Sequence, residues 1–299
     1  MTRNLLPLLF LSLLLVPVGA NLVPSAYSPS PGSGPNIYPY YANNDAGVAY
    51  NYTGITFVTT ILNLTGLYKL NASEGMTVIN GIPAQEVAYY IGLGEYYPSI
   101  GAVYIQPVIV LVFINTTLNG ENVTAWGLKW VVQAWALVNG KLYEELDESG
   151  LIACGLGNSV YLNYQFNLTI KAYLNSEGEI TGAWVYIANP SGTTIYYSKI
   201  VSLTYPIPDK QVFFIVEDPV GENNETVKFP VIPSNNYVFV NATISNSTFT
   251  ATGGPPFSSG VGFYLVTNAS VYPTFGTAYA YWNGQLIPYP YGQGVKYYW

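Results

Sequence analysis

The feature that most constrains this chain is its rhythm. From about residue 45 onward, runs rich in Val, Ile, Tyr and Thr alternate with turn residues, and almost nothing repeats with a helical period. The runs Ile55–Leu62, Val103–Ile114, Trp126–Val138, Val160–Tyr173, Gly182–Ala188, Thr193–Leu203, Val212–Glu217, Tyr237–Ile244, Val261–Val266 and Ala278–Trp282 read as strands. Asn119-Gly120, Asn139-Gly140 and Asn283-Gly284 read as two-residue hairpin turns, because Asn and Gly tolerate the positive φ such turns need. Pro190-Ser191-Gly192 is a further turn, and only Ala84–Tyr90 suggests a short helix. Strands so punctuated predict an all-β chain, an antiparallel β-sandwich of jelly-roll type with few or no helices. No linker follows residue 45, so residues 44–299 read as one domain, and Pro255-Pro256 leave room for a small C-terminal β extension.

The N-terminus follows a different pattern. Arg3, the apolar run Leu5–Val16 and the small residues Val18-Gly19-Ala20 read as a signal peptide over residues 1–20, with an uncleaved anchor as the alternative. Residues 21–43, rich in Pro, Ser, Gly and Tyr, are expected to lack fixed secondary structure. No later run is long enough to span a membrane as a helix, so the mature chain is expected to be secreted or at the cell surface. Ten Asn-x-Ser/Thr triplets, at Asn51, Asn63, Asn71, Asn115, Asn122, Asn167, Asn224, Asn241, Asn246 and Asn268, agree with that location as glycosylation candidates. Cys154 has no second cysteine to pair with, and reads as a small buried hydrophobe.

Composition excludes several chemistries. With no histidine, Ser-His-Asp and Cys-His hydrolases are out, and zinc catalysis of the usual kind is not expected. Nine basic residues against sixteen acidic ones, without a basic cluster, argue against nucleic acid. Only 8% of residues are charged, so the surface changes charge little between neutral and acidic pH. That suits a hydrolase working in a hot, acidic habitat, and equally a coat or filament protein. The acidic stretch Glu144, Glu145, Asp147, Glu148 reads as a solvated loop, with a calcium site as the alternative.

In so charge-poor a chain, Phe213-Phe214-Ile215-Val216-Glu217-Asp218-Pro219 stands out, because an apolar strand ends on a carboxylate. One carboxylate and one side-chain amide suffice for peptide hydrolysis in acid. The carboxyl takes a proton from water and later returns it to the leaving amine, while the amide holds the water and the oxyanion. Ile215–Pro219, the segment Val227-Lys228-Phe229-Pro230 and the strand Tyr237–Ala242 together resemble the eqolisins, the glutamic peptidases. Tyr90-Ile91-Gly92-Leu93-Gly94 leading to Tyr104-Ile105-Gln106 is similar to that family's block preceding its catalytic Gln. Asn44-Asp45-Ala46-Gly47 and Gly157-Asn158-Ser159-Val160 are similar to two of its strand openings. The resemblance covers residues 44 to 250 as scattered motifs. It implies a concanavalin-like sandwich and a secreted acid endopeptidase with a polypeptide substrate and no metal or organic cofactor. Glu217 would act as general base then acid, and Gln106 as the amide.

The departures are specific. Gln106 is followed by Pro107-Val108, Tyr90 replaces a Trp, and the family's Trp-Tyr-Glu-Trp strand has only Ala134-Trp135-Ala136-Leu137 as its nearest counterpart. The interval from Gln106 to Glu217 also exceeds the family's, which makes Gln133 a rival amide. If Gln106 acts, then Gln133, Trp135 and Tyr90 are expected to line the cleft. A second set, Trp130-Val131-Val132-Gln133 and Thr252-Gly253-Gly254-Pro255-Pro256, is reminiscent of thermopsin-type archaeal acid proteases. The reading from a different class is a non-catalytic β-sandwich surface protein that binds glycans or builds a coat.

Overall fold

The computed structural model describes residues 37–42, 45–51, 53–79, 81–97, 101–217, 230–233, 239–247, 250–253, 262–267, 275–282 and 285–288. Residues 1–36, the Asn283-Gly284 turn, Asp218, Pro255-Pro256 and the triplets at Asn224 and Asn268 lie outside them. Among the described residues there is no helix, and the architecture is an antiparallel β-sandwich.

One sheet has eight strands: β1 (Ile37–Ala42), β2 (Asp45–Asn51), β4 (Thr77–Ile79), β5 (Ile82–Tyr97), β6 (Gly101–Leu118), β7 (Glu121–Val138), β8 (Lys141–Leu156) and β12 (Gln211–Glu217). Their order is β1-β2-β12-β5-β6-β7-β8, with β4 paired to β5, and the sheet curls into half a barrel. The other face of the sandwich has six: β3 (Phe57–Lys69), β9 (Ser159–Leu174), β10 (Glu179–Ala188), β11 (Ile195–Pro208), β13 (Phe239–Ser245) and β14 (Thr250–Gly253). These run in the order β11-β10-β9-β3-β13-β14. Strands β15 (Gly262–Thr267), β16 (Phe275–Trp282) and β17 (Gln285–Pro288) form a three-stranded sheet of their own.

Two turns set the register of the curled sheet. Asn119 and Gly120 have φ of 52° and 84°, and Asn139 and Gly140 have 51° and 76°, both central residues positive as a type I′ turn requires. The turn at Asn119-Gly120 locks β6 to β7 without a slip along the whole ladder. The core between the sheets takes alternate residues from each strand, among them Tyr89, Ile91, Ile109, Phe113, Phe166, Ile170 and Val185. Rings meet across it: Phe214 packs edge-on against Phe239 at 5.8 Å, and Trp130 lies 5.2 Å from Tyr197.

Three expectations are corrected. Ala84–Tyr90 is the middle of β5, not a helix; every residue from Ala84 to Gly94 is buried, so the polar–apolar alternation that marks a strand is lost. Glu144, Glu145, Asp147 and Glu148 lie on strand β8 rather than in a loop, at the edge of the sheet where charge is tolerated and blunts further pairing. Ile37–Ala42, inside the segment expected to lack structure, forms β1 against β2.

Candidate functional site

The central strands of the curled sheet, β5, β6 and β7, are buried on both faces over most of their length. Val87, Tyr89, Ile91 and Leu93 of β5, Ile105, Ile109 and Leu111 of β6, and Leu128, Val132 and Ala134 of β7 face the second sheet. The alternate residues form what we call the far face: Ala88 and Tyr90; Tyr104, Val108 and Val110; Val131. These too are almost inaccessible. Polar groups interrupt this second interior at Glu86, Gln106, Lys129 and Gln133, all buried. Gln85 is buried as well, but its amide is consumed by the backbone of the 71–75 turn. Its Nε2 donates to the carbonyls of Asn71, at 2.8 Å, and of Gly75, and its Oε1 accepts from the Asn71 N–H at 2.7 Å.

Gln106 and Gln133 are cross-strand neighbours on β6 and β7. Gln106 Nε2 donates to Gln133 Oε1 at 3.1 Å. Gln133 is in turn paired with Asp147 on β8, and its Nε2 donates to Asp147 Oδ1 at 3.5 Å, a long bond. On the other side of Gln106 the ladder between β5 and β6 lacks two rungs, where Pro107 has no N–H to give. Continuing the register through that gap sets Gln106 beside Gly92, which pairs with Phe213 of β12. A Cβ on Gly92 would lie 3.6 Å from the Phe213 ring and 3.9 Å from Gln106 Cβ, so Gly92 leaves space at the amide. One transverse row thus reads Phe213, Gly92, Gln106, Gln133, Asp147.

Aromatic groups flank that row. Tyr90 and Tyr104 stand 6.1 Å apart, and Trp135 is the register partner of Tyr104, two rungs beyond the two glutamines and on the same face. Gln106 Oε1 and Trp135 Nε1 are buried without hydrogen-bond partners, an acceptor and a donor on one face. Leaving such groups unpaired costs stability, so their presence asks for a ligand or a function.

Glu217 lies elsewhere in the same sheet. Its backbone pairs with Asp45 on one side and Ala88 on the other, and it keeps the parity of Phe213. The row through it runs Asp45, Glu217, Ala88, Val110, Lys129. Glu217 and Gln106 are therefore four residues apart along the strands and two strands apart across them, roughly 13 Å by 10 Å in strand geometry. The structure brings Gln106, Gln133, Tyr90 and Trp135 together and gives Glu217 a different row.

Sequence reasoning overlooked the charged members of this face. Glu86 is wholly buried, neither carboxyl oxygen has a hydrogen bond, and burial pushes its pKa up to about 8 against the opposing pull of Lys129. Burial also lowers Lys129, while Glu86 and then Asp147 hold it up. Asp147 is raised by burial, and its bond from Gln133 and the charge of Lys129 oppose the rise. The signal was available: a lone Lys in the Trp- and Val-rich run Trp126–Val138 is anomalous in a chain with so few charges.

A further carboxyl, Asp209, sits buried between β11 and β12. Burial pushes it up to about 7; the amides of Ile55 and Gly54 oppose this without reaching hydrogen-bond geometry. A raised carboxyl stabilises the fold fully below its unfolded pKa, and the contribution is lost as pH rises through its folded one. Wild-type stability from Asp209 should therefore fall between about pH 4 and the value near 7, by on the order of 4 kcal/mol. Urea unfolding across that range should show a shallower fall in Asp209→Asn, and an unchanged slope would remove Asp209 as its source.

A cleft of about 710 Å³ lies at the β6–β7 hairpin end, lined by Gly81, Pro83, Thr116, Val123 and the triplet residues Asn115 and Asn122. It holds no titratable side chain. Of the other triplets, Asn51, Asn63, Asn167 and Asn241 lie on strands, Asn71 precedes a turn, and Asn246 follows β13. No family model, no curated protein and no solved structure matches this chain.

Proposed function

We propose that the protein is a secreted, acid-active endopeptidase that hydrolyses polypeptides with a carboxyl–amide pair carried by its curled sheet. The observation that carries this reading is the row Gln106–Gln133–Asp147, two side-chain amides and a carboxyl linked by hydrogen bonds on one face of adjacent strands. Strand β12, which ends in Glu217, belongs to the same sheet. A carboxyl to move the proton and an amide to hold water and oxyanion need no histidine, metal or cofactor. The raised carboxyls Glu86, Asp147 and Asp209 also support it, because each favours the folded state in acid over neutral solution.

One observation favours the non-catalytic surface protein instead. Gln106 and Gln133 are 2% and 1% exposed and bond each other, as amides that only hold two strands together would. Denatured casein incubated across the acid and neutral range separates the two. The peptidase should cleave at about pH 2–4, as expected of carboxyl chemistry, and be indifferent to chelators and to pepstatin. Absence of cleavage at every pH, with glycan binding or assembly intact, would establish the other reading.

A further inference from the structure

We propose that Gln133 and Asp147 are positioning residues that set which end of the Gln106 amide faces away from the row, the donor end turning outward when Asp147 carries a proton. The proposal rests on the reading of Gln106 as the group that holds the oxyanion.

An ionised Asp147 can only accept, so Gln133 must present its Nε2 to it, which is the bond observed. Gln133 Oε1 then faces Gln106 and takes the Gln106 Nε2 proton, also as observed. Gln106 is left with Oε1 at its far end, buried and unpartnered. An acceptor in that place repels an oxyanion. A proton on Asp147 reverses every bond in turn. The carboxyl O–H donates to Gln133 Oε1, Gln133 Nε2 donates to Gln106 Oε1, and Gln106 Nε2 becomes the free group, a donor where the chemistry needs one.

Each amide makes half a turn about its terminal torsion, which is soft, and no backbone moves. The row keeps the same number of internal bonds in both states, so the proton on Asp147 decides between them. Gln85 could not take part in such a relay, because backbone groups hold both ends of its amide. The charge acting on Asp147 comes from Lys129 on β7, which favours the ionised state, and Asp147 in turn raises the neighbouring Glu144 on β8. Glu86 on β5 acts on Lys129, and β6 carries no charged residue.

The relay can be read without any activity. In full-length protein labelled with ¹⁵N in glutamine side chains, the Gln106 and Gln133 NH₂ signals should move together, with the midpoint of the Asp147 carboxyl carbon. Both movements should vanish in Asp147→Asn. Gln106 signals that stay still while Asp147 titrates overturn the proposal. The activity arm uses casein. Asn at 147 can donate to Gln133 at every pH, so Asp147→Asn should carry the alkaline limb of the pH profile upward by about one unit or more. A profile superimposable on the wild type overturns the relay and leaves the peptidase reading standing. Coupled amide signals in a protein that cleaves nothing uphold the relay and remove that reading.

Discussion

Glu217→Gln is expected to lower casein hydrolysis in acid by about 10²- to 10⁴-fold, with the far-ultraviolet circular dichroism unchanged. Glutamine copies the shape of the carboxyl but can neither take a proton from water nor return one to a leaving amine. Retention of full activity would remove Glu217 as the group that moves the proton. The register gives that outcome a structural basis, since Glu217 shares its row with Lys129 and not with Gln106. A KM and kcat comparison sharpens the result. Loss confined to kcat marks a group acting in the transition state, whereas a rise in KM alone marks one that only binds.

Lys129→Met is expected to destabilise the protein by about 3–5 kcal/mol above the Glu86 pKa, and by much less in acid. Glu86 has no hydrogen bond, and Lys129 is the charge that opposes its rise to about 8. Its folded pKa lies above the unfolded value of 4.5, so it stabilises the fold fully below that value and the contribution is lost as pH rises through about 8. Lys129 offsets part of that loss. Without it, a carboxyl must stay protonated or lie charged and unpaired in a dry interior. Urea unfolding at both ends of the range checks the sign, and Glu86→Gln added to Lys129→Met should restore most of the alkaline loss. A pH-independent cost would mean that Lys129 contributes through the packing of its stem alone.

Much of the fold was legible because its information is local. Asn-Gly pairs demand a tight turn, and the turn at Asn119-Gly120 fixes the β6–β7 register, so the pairing of Gln106 with Gln133 follows by counting outward from it. β5 was not legible as a strand, because burial on both faces erased its period. β8 was mistaken for a loop because edge strands carry charges that loops also carry. The row of Glu217 depends on β12 inserting between β2 and β5, a long-range pairing that no local pattern announces. Glu86 and Lys129 come together for the same reason: their strands are separated by β6, and only the assembled sheet makes them neighbours.

Asp147 reaches the glutamines through an irregularity in β8. Next to the Asn139-Gly140 turn, β8 pairs in step with β7 as far as Trp135 and Glu144; then Ala134 faces Leu146, and Glu145 is surplus. Had the pairing continued in step, Leu146 would stand opposite Gln133 and Asp147 would turn toward the core between the sheets. The bulge works like a shift in reading frame: one inserted residue changes the meaning of every position after it until Ile152, where a second surplus residue intervenes. A lineage that lost Glu145 would lose the bulge and keep Asp147 opposite Gln133, whereas one that kept Glu145 but paired it with Ala134 would lose the carboxyl from the row in a single step. Relatives of this chain should therefore be compared by how the segment between the turn and Asp147 pairs with β7 before their residues are compared at all.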